Sequence, residues 1–244
     1  MESENTNSTD LYSLLAWFEK NRKQIISAIV ILILVGVIIA FVQWNREQKE
    51  ITAGEALSAV TLTGNSSRPS ADSLLKVAAD NAGTVAAGRA LLMAAGQLFA
   101  DGNVENAQKQ FQKFLADYEG SPLTPQAKLG VAACLEAQGK KAEAIAAFKE
   151  VADRFTEANT RSHAKFSMAR LNEADGKLEL ARDQYIELMQ EAQRESQRNS
   201  QSTFGPEAFG RLNDLMQKYP DLAKQSAPPT TTQVVPASVT PASK

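Results

Sequence analysis

Shifting the chain against itself by 37 residues superposes three segments in one register. Ala90 falls on Ala127 and Ala164, Ala95 on Ala132 and Ala169, and Ala100 on Ala137 and Ala174. Gly102 falls on Gly139 and Gly176, and Ala107 on Ala144 and Ala181. Phe111 meets Phe148 and Tyr185, and Phe114 meets Val151 and Leu188. A period of this length restricts the chain to a stack of one supersecondary unit, because a single unit cannot cover its own apolar face. The columns have separate physical readings. The glycines end the first helix of each pair and permit a left-handed turn. The alanines of the Ala95 and Ala107 columns are small, so two antiparallel helices can approach closely. Phe111, Phe148 and Tyr185 stand one helical turn further along the same face and fill the space toward the next helix.

Good helix formers dominate residues 71–219. The breaks are short and marked by Gly or Pro: Asp101-Gly102-Asn103, Gly120-Ser121-Pro122, Gln138-Gly139, Asp175-Gly176 and Gly205-Pro206. An earlier break covers residues 64–69, and residues 45–63 keep helical spacing through Ile51, Ala53, Ala56, Leu57 and Val60. A backward shift of 37 places Ala53, Ser58, Asn65, Ser70, Leu74 and Val77 on the same columns. This predicts a degenerate first unit whose leading helix runs on from the segment before it. Forward, the register fails, since Gln201 and Asn213 stand where alanine and glycine are expected. A closing helix is predicted instead, with Pro206 at its first position and Phe209, Leu212 and Leu215 on its inner face. The last twenty residues, QSAPPTTTQVVPASVTPASK, have little to bury and are predicted to be disordered.

Residues 25–42 read IISAIVILILVGVIIAFV, without a charge. As a helix they extend roughly 27 Å, close to the thickness of a bilayer's hydrocarbon core. Trp17 and Trp44 flank the run, where indoles favour the headgroup layer. Its length, and the Gln43-Trp44-Asn45-Arg46 that follows in place of a small-residue cleavage site, predict a retained anchor rather than a signal peptide. Lys20, Arg22 and Lys23 precede the run, while Arg46 and Lys49 follow it. That bias predicts a cytoplasmic N-terminal segment and a translocated C-terminal part, periplasmic in a bacterium. Gly36 and Ala40 form a small-xxx-small pair through which two anchors could pack, so a homo-oligomer is open.

Charge and rare residues narrow the function. Lys+Arg number 26 and Asp+Glu 28, so there is no basic excess with which to bind nucleic acid. The one cysteine, Cys134, allows no internal disulfide and is read as a small buried thiol with nothing basic adjacent to activate it. One histidine, His163, cannot build a histidine metal site and has no nucleophile on a strained turn near it. No phosphate-binding glycine loop or paired metal-ligand motif is present. The expectation is a non-enzymatic protein without cofactor, catalytic residue or metal.

The order small residue, glycine turn, alanine, then aromatic four positions on resembles the tetratricopeptide repeat. Ala95, Ala132 and Ala169 match its small position in the first helix; Ala107/Phe111, Ala144/Phe148 and Ala181/Tyr185 match its alanine–aromatic pair in the second. The unit here is 37 residues rather than the usual 34 and lacks the family's tryptophan. The resemblance implies a solenoid of helical hairpins, so the expected fold is all-α: the N-terminal transmembrane helix read from the apolar run, followed by that tetratricopeptide-like solenoid. The layout is also similar to the YfgM-type ancillary subunit of the Sec translocon. Trp17-Phe18-Glu19-Lys20-Asn21 before the apolar run and Trp44-Asn45 after it look like that family's anchor flanks, over a resemblance covering residues 11–219. It implies partners among translocon subunits, periplasmic chaperones or exported chains, and a place in the bacterial inner membrane. Phe114-Leu115-Ala116-Asp117-Tyr118-Glu119-Gly120-Ser121-Pro122 also looks like the repeat joints of the Tol-Pal-associated cell-division coordinator. That family is normally secreted after signal cleavage, so the retained anchor favours the first relative.

The expected organisation is a cytoplasmic segment (residues 1–24), a membrane helix (25–44), a repeat domain (45–222) and a tail (223–244). Within the domain lie the degenerate unit 45–83, units 84–120, 121–157 and 158–198, and the closing helix 206–219. In such solenoids partners lie against the first helices. Arg89, Gln126 and His163 share one position there, Leu92, Leu129 and Phe166 a second, and Phe99, Glu136 and Glu173 a third. With Arg170 they are read as a groove with an apolar floor and a polar rim, suited to an extended or helical peptide. A carboxylate clamp is not expected, since Leu92/Gly96, Leu129/Ala133 and Phe166/Arg170 stand where it needs Lys and Asn. Two functions are carried forward: a membrane-tethered interaction scaffold at the translocon, and an envelope-organising protein that self-associates.

Overall fold

The computed structural model describes residues 6–62, 68–197 and 204–224, all of them in helices or the turns between helices. The chain divides into two compact units, Met1–Ala90 and Leu91–Lys244. The first holds α1 (Thr6–Leu62), α2 (Ala71–Asp80) and the start of α3 (Val85–Ala100). α1 is one unbroken helix of 57 residues. Among the described residues it is the one helix long and apolar enough to cross a membrane, and none of its most apolar stretch is buried. Ala53, Leu74 and Val77 are buried, while Ser58, aligned with them, is exposed. Ser70 caps α2, its hydroxyl accepting the Ser73 N–H at 3.2 Å. The carboxylate of Glu50 on α1 accepts the Val85 N–H at 2.9 and 3.0 Å, which satisfies a free donor at the start of α3. The Asn65 position lies outside the described residues.

The second unit continues with α4 (Val104–Asp117), α5 (Thr124–Ala137), α6 (Lys141–Arg154), α7 (Ala158–Ala174), α8 (Leu178–Gln197), α9 (Phe204–Lys218) and α10 (Pro220–Lys224). Successive helices from α4 to α9 pack against one another, and α5 also touches α7 as α7 touches α9. The repeat columns are its core. Ala95, Ala132, Ala169, Ala107, Ala144 and Ala181 are all fully buried, as are Phe114 and Tyr185. Ala100, Ala137 and Ala174 form an exposed column. They immediately precede three copies of one turn. Gly102, Gly139 and Gly176 adopt φ of 76–78°. Their N–H groups reach Phe99, Glu136 and Glu173 at 2.8–3.0 Å, and the next N–H groups, from Asn103, Lys140 and Lys177, reach back to Leu98, Leu135 and Asn172. This pair of bonds is the Schellman motif, which pairs carbonyls that a helix end otherwise leaves bare.

Three expectations are corrected. Gly205-Pro206 is not a break: it lies in the first turn of α9, where Gly205 is buried and a Cβ would run into Ala192 of α8. Phe209 is not on the inner face; it is 60% exposed, and the buried stripe is Gly205, Ala208, Leu212 and Leu215. Residues 223 and 224 belong to α10 rather than to a tail, and the remaining tail residues lie outside the described ones. α10 is held in place by Leu222, packed with Leu212 and Leu215, and by buried Arg182, whose guanidinium donates to the Leu222 carbonyl at 3.1 Å. α8 has 20 residues against 14 in α4 and in α6, and those extra turns carry α9 out of the 37-residue register.

Cys134 has no exposed surface, and burial, helped by the charge of Glu105, pushes its thiol up to about 11. In the native protein it is expected to resist a water-soluble thiol reagent and to react fully once the repeats are unfolded in urea. Prompt native labelling would contradict this packing. The sign for pH follows from the raised value: the thiol's contribution to stability is intact below its ordinary value of 9.0 and is lost as pH rises through about 11.

Candidate functional site

α7 is more polar than α3 and α5, the first helices of the preceding pairs, and buries Thr160, Ser162, Ser167 and Asn172 among its alanines. Its other residues point two ways. Lys165 turns toward α8, bonded to Glu187 at 2.8 Å and Glu191 at 2.6 Å. One unit earlier Lys128 pairs with Glu150 at the same positions. Burial works against the Lys165 ammonium, but the two carboxylates outweigh it and its pKa stands above the ordinary lysine value.

The opposite side of α7 faces α9 across an open cleft of about 490 Å³. His163, Phe166, Ser167 and Arg170 line it from α7, and Phe204, Glu207, Gly210, Arg211 and Asp214 from α9. A second hollow of about 400 Å³ shares Arg170 and Arg211 and extends past Glu173, Leu178, Lys218 and Tyr219. The floor is aromatic. His163 stacks on Phe204 with ring centres 4.9 Å apart, and Phe166 lies 5.6 Å from Phe204 and 6.0 Å from Tyr185. Such offset and tilted rings are mutually attractive and present a stiff apolar surface. Desolvation by the surrounding protein lowers the His163 pKa, against the pull of Glu207.

Charges flank this floor in compensated sets. Arg170 pairs with Glu136 of α5, and Arg211 stands 3.8 Å from Glu173. Glu173 also accepts the buried Tyr185 hydroxyl at 2.8 Å; burial first, then this carboxylate, raises the phenol's pKa. The result is an apolar strip bordered by both signs of charge, a surface able to grip a peptide's side chains and main chain. Among the described residues no group of three His, Cys, Asp or Glu could hold a metal ion.

Of the residues singled out from sequence, His163, Phe166, Arg170 and Glu173 line the cleft and its extension, and Glu136 is tied to them through Arg170. Gln126 is exposed on α5, and Leu129 is half-buried against the core around Phe148; neither lines these hollows. On α3, Leu92 is half-buried and Phe99 is exposed; Arg89, in the first unit, is also exposed. Sequence reasoning missed the α9 side: Phe204, Glu207, Arg211 and Asp214. A shift of 44 in place of 37 would have found it, since it lays Ala164, Met168 and Leu171 on Ala208, Leu212 and Leu215.

A family model described as a tetratricopeptide repeat-like domain matches residues 15–198. No curated protein matches the chain. One similar solved structure is a crystal structure of nearly identical TPR-like repeats from a Podosopora anserina protein described as a kinesin light chain. It is 16% identical, covers 72% of this chain and 97% of its own, and superposes with a TM-score of 0.42.

Proposed function

Since the chain belongs to the tetratricopeptide repeat-like domain family, we propose that it is a membrane-anchored, non-enzymatic scaffold that holds a partner polypeptide in the cleft between α7 and α9. The aromatic floor of His163, Phe166 and Phe204 between paired charges carries this reading. Extended or helical peptides bind where an apolar strip takes alternate side chains and a polar rim fixes direction. The anchor is residues 25–44, with 1–24 cytoplasmic and the repeats periplasmic; the exposed apolar run on α1 and the basic residues before it support this. The flanks of that run favour a place at the Sec translocon, beside chaperones that handle exported chains.

A photo-activated residue at His163, on the open side of the cleft, tests the proposal in living cells. Adducts with translocon subunits, periplasmic chaperones or exported chains are expected, and Phe166→Ala should reduce them about tenfold, as loss of a buried aromatic anchor does. Adducts only with the protein itself or with cell-wall proteins would replace this reading with that of a self-associating envelope organiser.

A further inference from the structure

Beyond the protein-binding cleft, and resting on the anchor just proposed, the geometry points to a phospholipid headgroup site of the phosphoethanolamine class where α1 leaves the bilayer. A pocket of about 280 Å³ opens between Gln48, Lys49 and Thr52 of α1 and, opposite, Asp80 at the end of α2 with Asn81 and Thr84 of the turn that leads to α3. The residues on α1 follow Val42, the end of the apolar run, by six to ten positions. At 1.5 Å per residue that is about 9–15 Å along the axis, less along the bilayer normal for a tilted helix. Side chains on a helix lean toward its N-terminus, here toward the apolar run, and a lysine stem spans several ångströms more. The Lys49 ammonium therefore reaches the headgroup layer that borders the hydrocarbon core.

The pocket's walls are tied together. Glu50, beside Lys49, holds the Val85 N–H. Thr84 donates to the Asn81 carbonyl at 2.8 Å and accepts the Ala87 N–H at 3.0 Å. Lys49 has no ion pair among the described residues. Among the described residues Asp80 pairs only with Lys76, at 3.3 Å with both side chains well exposed, a pair weak enough to exchange. The pocket thus offers one cation and one anion. A phosphate on Lys49 and an ammonium on Asp80 satisfy both. A net-anionic headgroup would leave Asp80 facing negative charge, and a choline has no N–H to donate to it.

The test uses the full chain reconstituted in vesicles of equal phosphatidylethanolamine and phosphatidylcholine; one portion is floated at alkaline pH to test the anchor, and another is kept at neutral pH for native mass spectrometry of retained lipid, where Lys49 and the ethanolamine stay charged. The wild type is expected to retain phosphatidylethanolamine about tenfold over phosphatidylcholine, the size of effect one charged hydrogen bond gives. Lys49→Ala should lose the retained lipid, whereas Asp80→Asn should hold lipid without distinguishing the two. Equal retention of both lipids by the wild type, or unchanged retention in Lys49→Ala, overturns the site. A chain that floats without selectivity overturns the site alone, while a chain that does not float overturns the anchor with it. Full displacement by soluble phosphoethanolamine would assign the pocket to a free metabolite and overturn the lipid.

Discussion

Phe148→Ala is expected to cost the repeat domain about 4 kcal/mol, the scale of emptying a fully packed phenylalanine site. Phe148 is 2% exposed and sits with Ala132, Ala144, Val151, Ala164 and Leu171, so it joins α5, α6 and α7 in one core. Three of those neighbours are alanines, which have no longer side chain to swing into the vacated space, and the cavity should persist. In a repeat array stability is close to a sum of unit and interface contributions, so the loss should be felt first at this joint. Cys134 on α5 reports the loss at that joint. The fraction of molecules in which that thiol is open to labelling should rise about a thousandfold in Phe148→Ala. Phe209→Ala, at a ring left in solvent, should stay within about 0.5 kcal/mol of wild type. Equal behaviour of the two variants would mean that the Phe148 column is not the core of the array.

Gly130→Ala should destabilise the domain by about 2 kcal/mol, the scale of overpacking a close-fitted core. The usual expectation is the reverse, since glycine inside a helix is worse than alanine by about 1 kcal/mol. Gly130 lies in α5, and a Cβ there would run into three carbons of the Phe111 ring on α4. Phe111 is itself 8% exposed, so its ring has little room to retreat. The sign should invert in a Phe111→Leu background, where the new methyl group fills space. A double-mutant cycle on urea midpoints reads this coupling directly. A stabilised Gly130→Ala in the wild-type background would show that α4 and α5 slide apart cheaply.

What could be read in advance was whatever one residue type alone can do. A φ near 77° after Ala100, Ala137 and Ala174 calls for glycine, so Gly102, Gly139 and Gly176 announced their turns. Close helix approach calls for alanine, and aromatics four residues on announced the filled space beside it. Turns that use no special residue were silent. α6 ends at Arg154, and the chain passes through Phe155, in extended backbone, Thr156 and Glu157 into α7 without a glycine or proline. Gly205-Pro206 misled in the opposite direction, because glycine serves close approach there and proline is tolerated in a first helical turn, where N–H groups lack partners anyway. Phe209 stands one position past Ala208 of the buried stripe; its large apolar ring suggests an inward face, but the small Ala208 fills that place. The α7 half of the cleft was legible because it repeats. The α9 half was hidden by the longer α8, which changes the spacing between units without changing how the next helix packs.

The continuity of α1 makes it a crankshaft. Glu50 is pinned to Val85 and Ala53 is fully buried, so the rotational setting of the helix is locked at that level. With no break between Thr6 and Leu62, every apolar residue from Ile26 to Val42 inherits that setting at 100° per position. One residue inserted after Val42 would swing the whole apolar segment by about 100° relative to Glu50, and about seven would bring it nearly back into phase. Whichever side of the segment meets a neighbour, it was chosen several turns away, by a carboxylate and a methyl group.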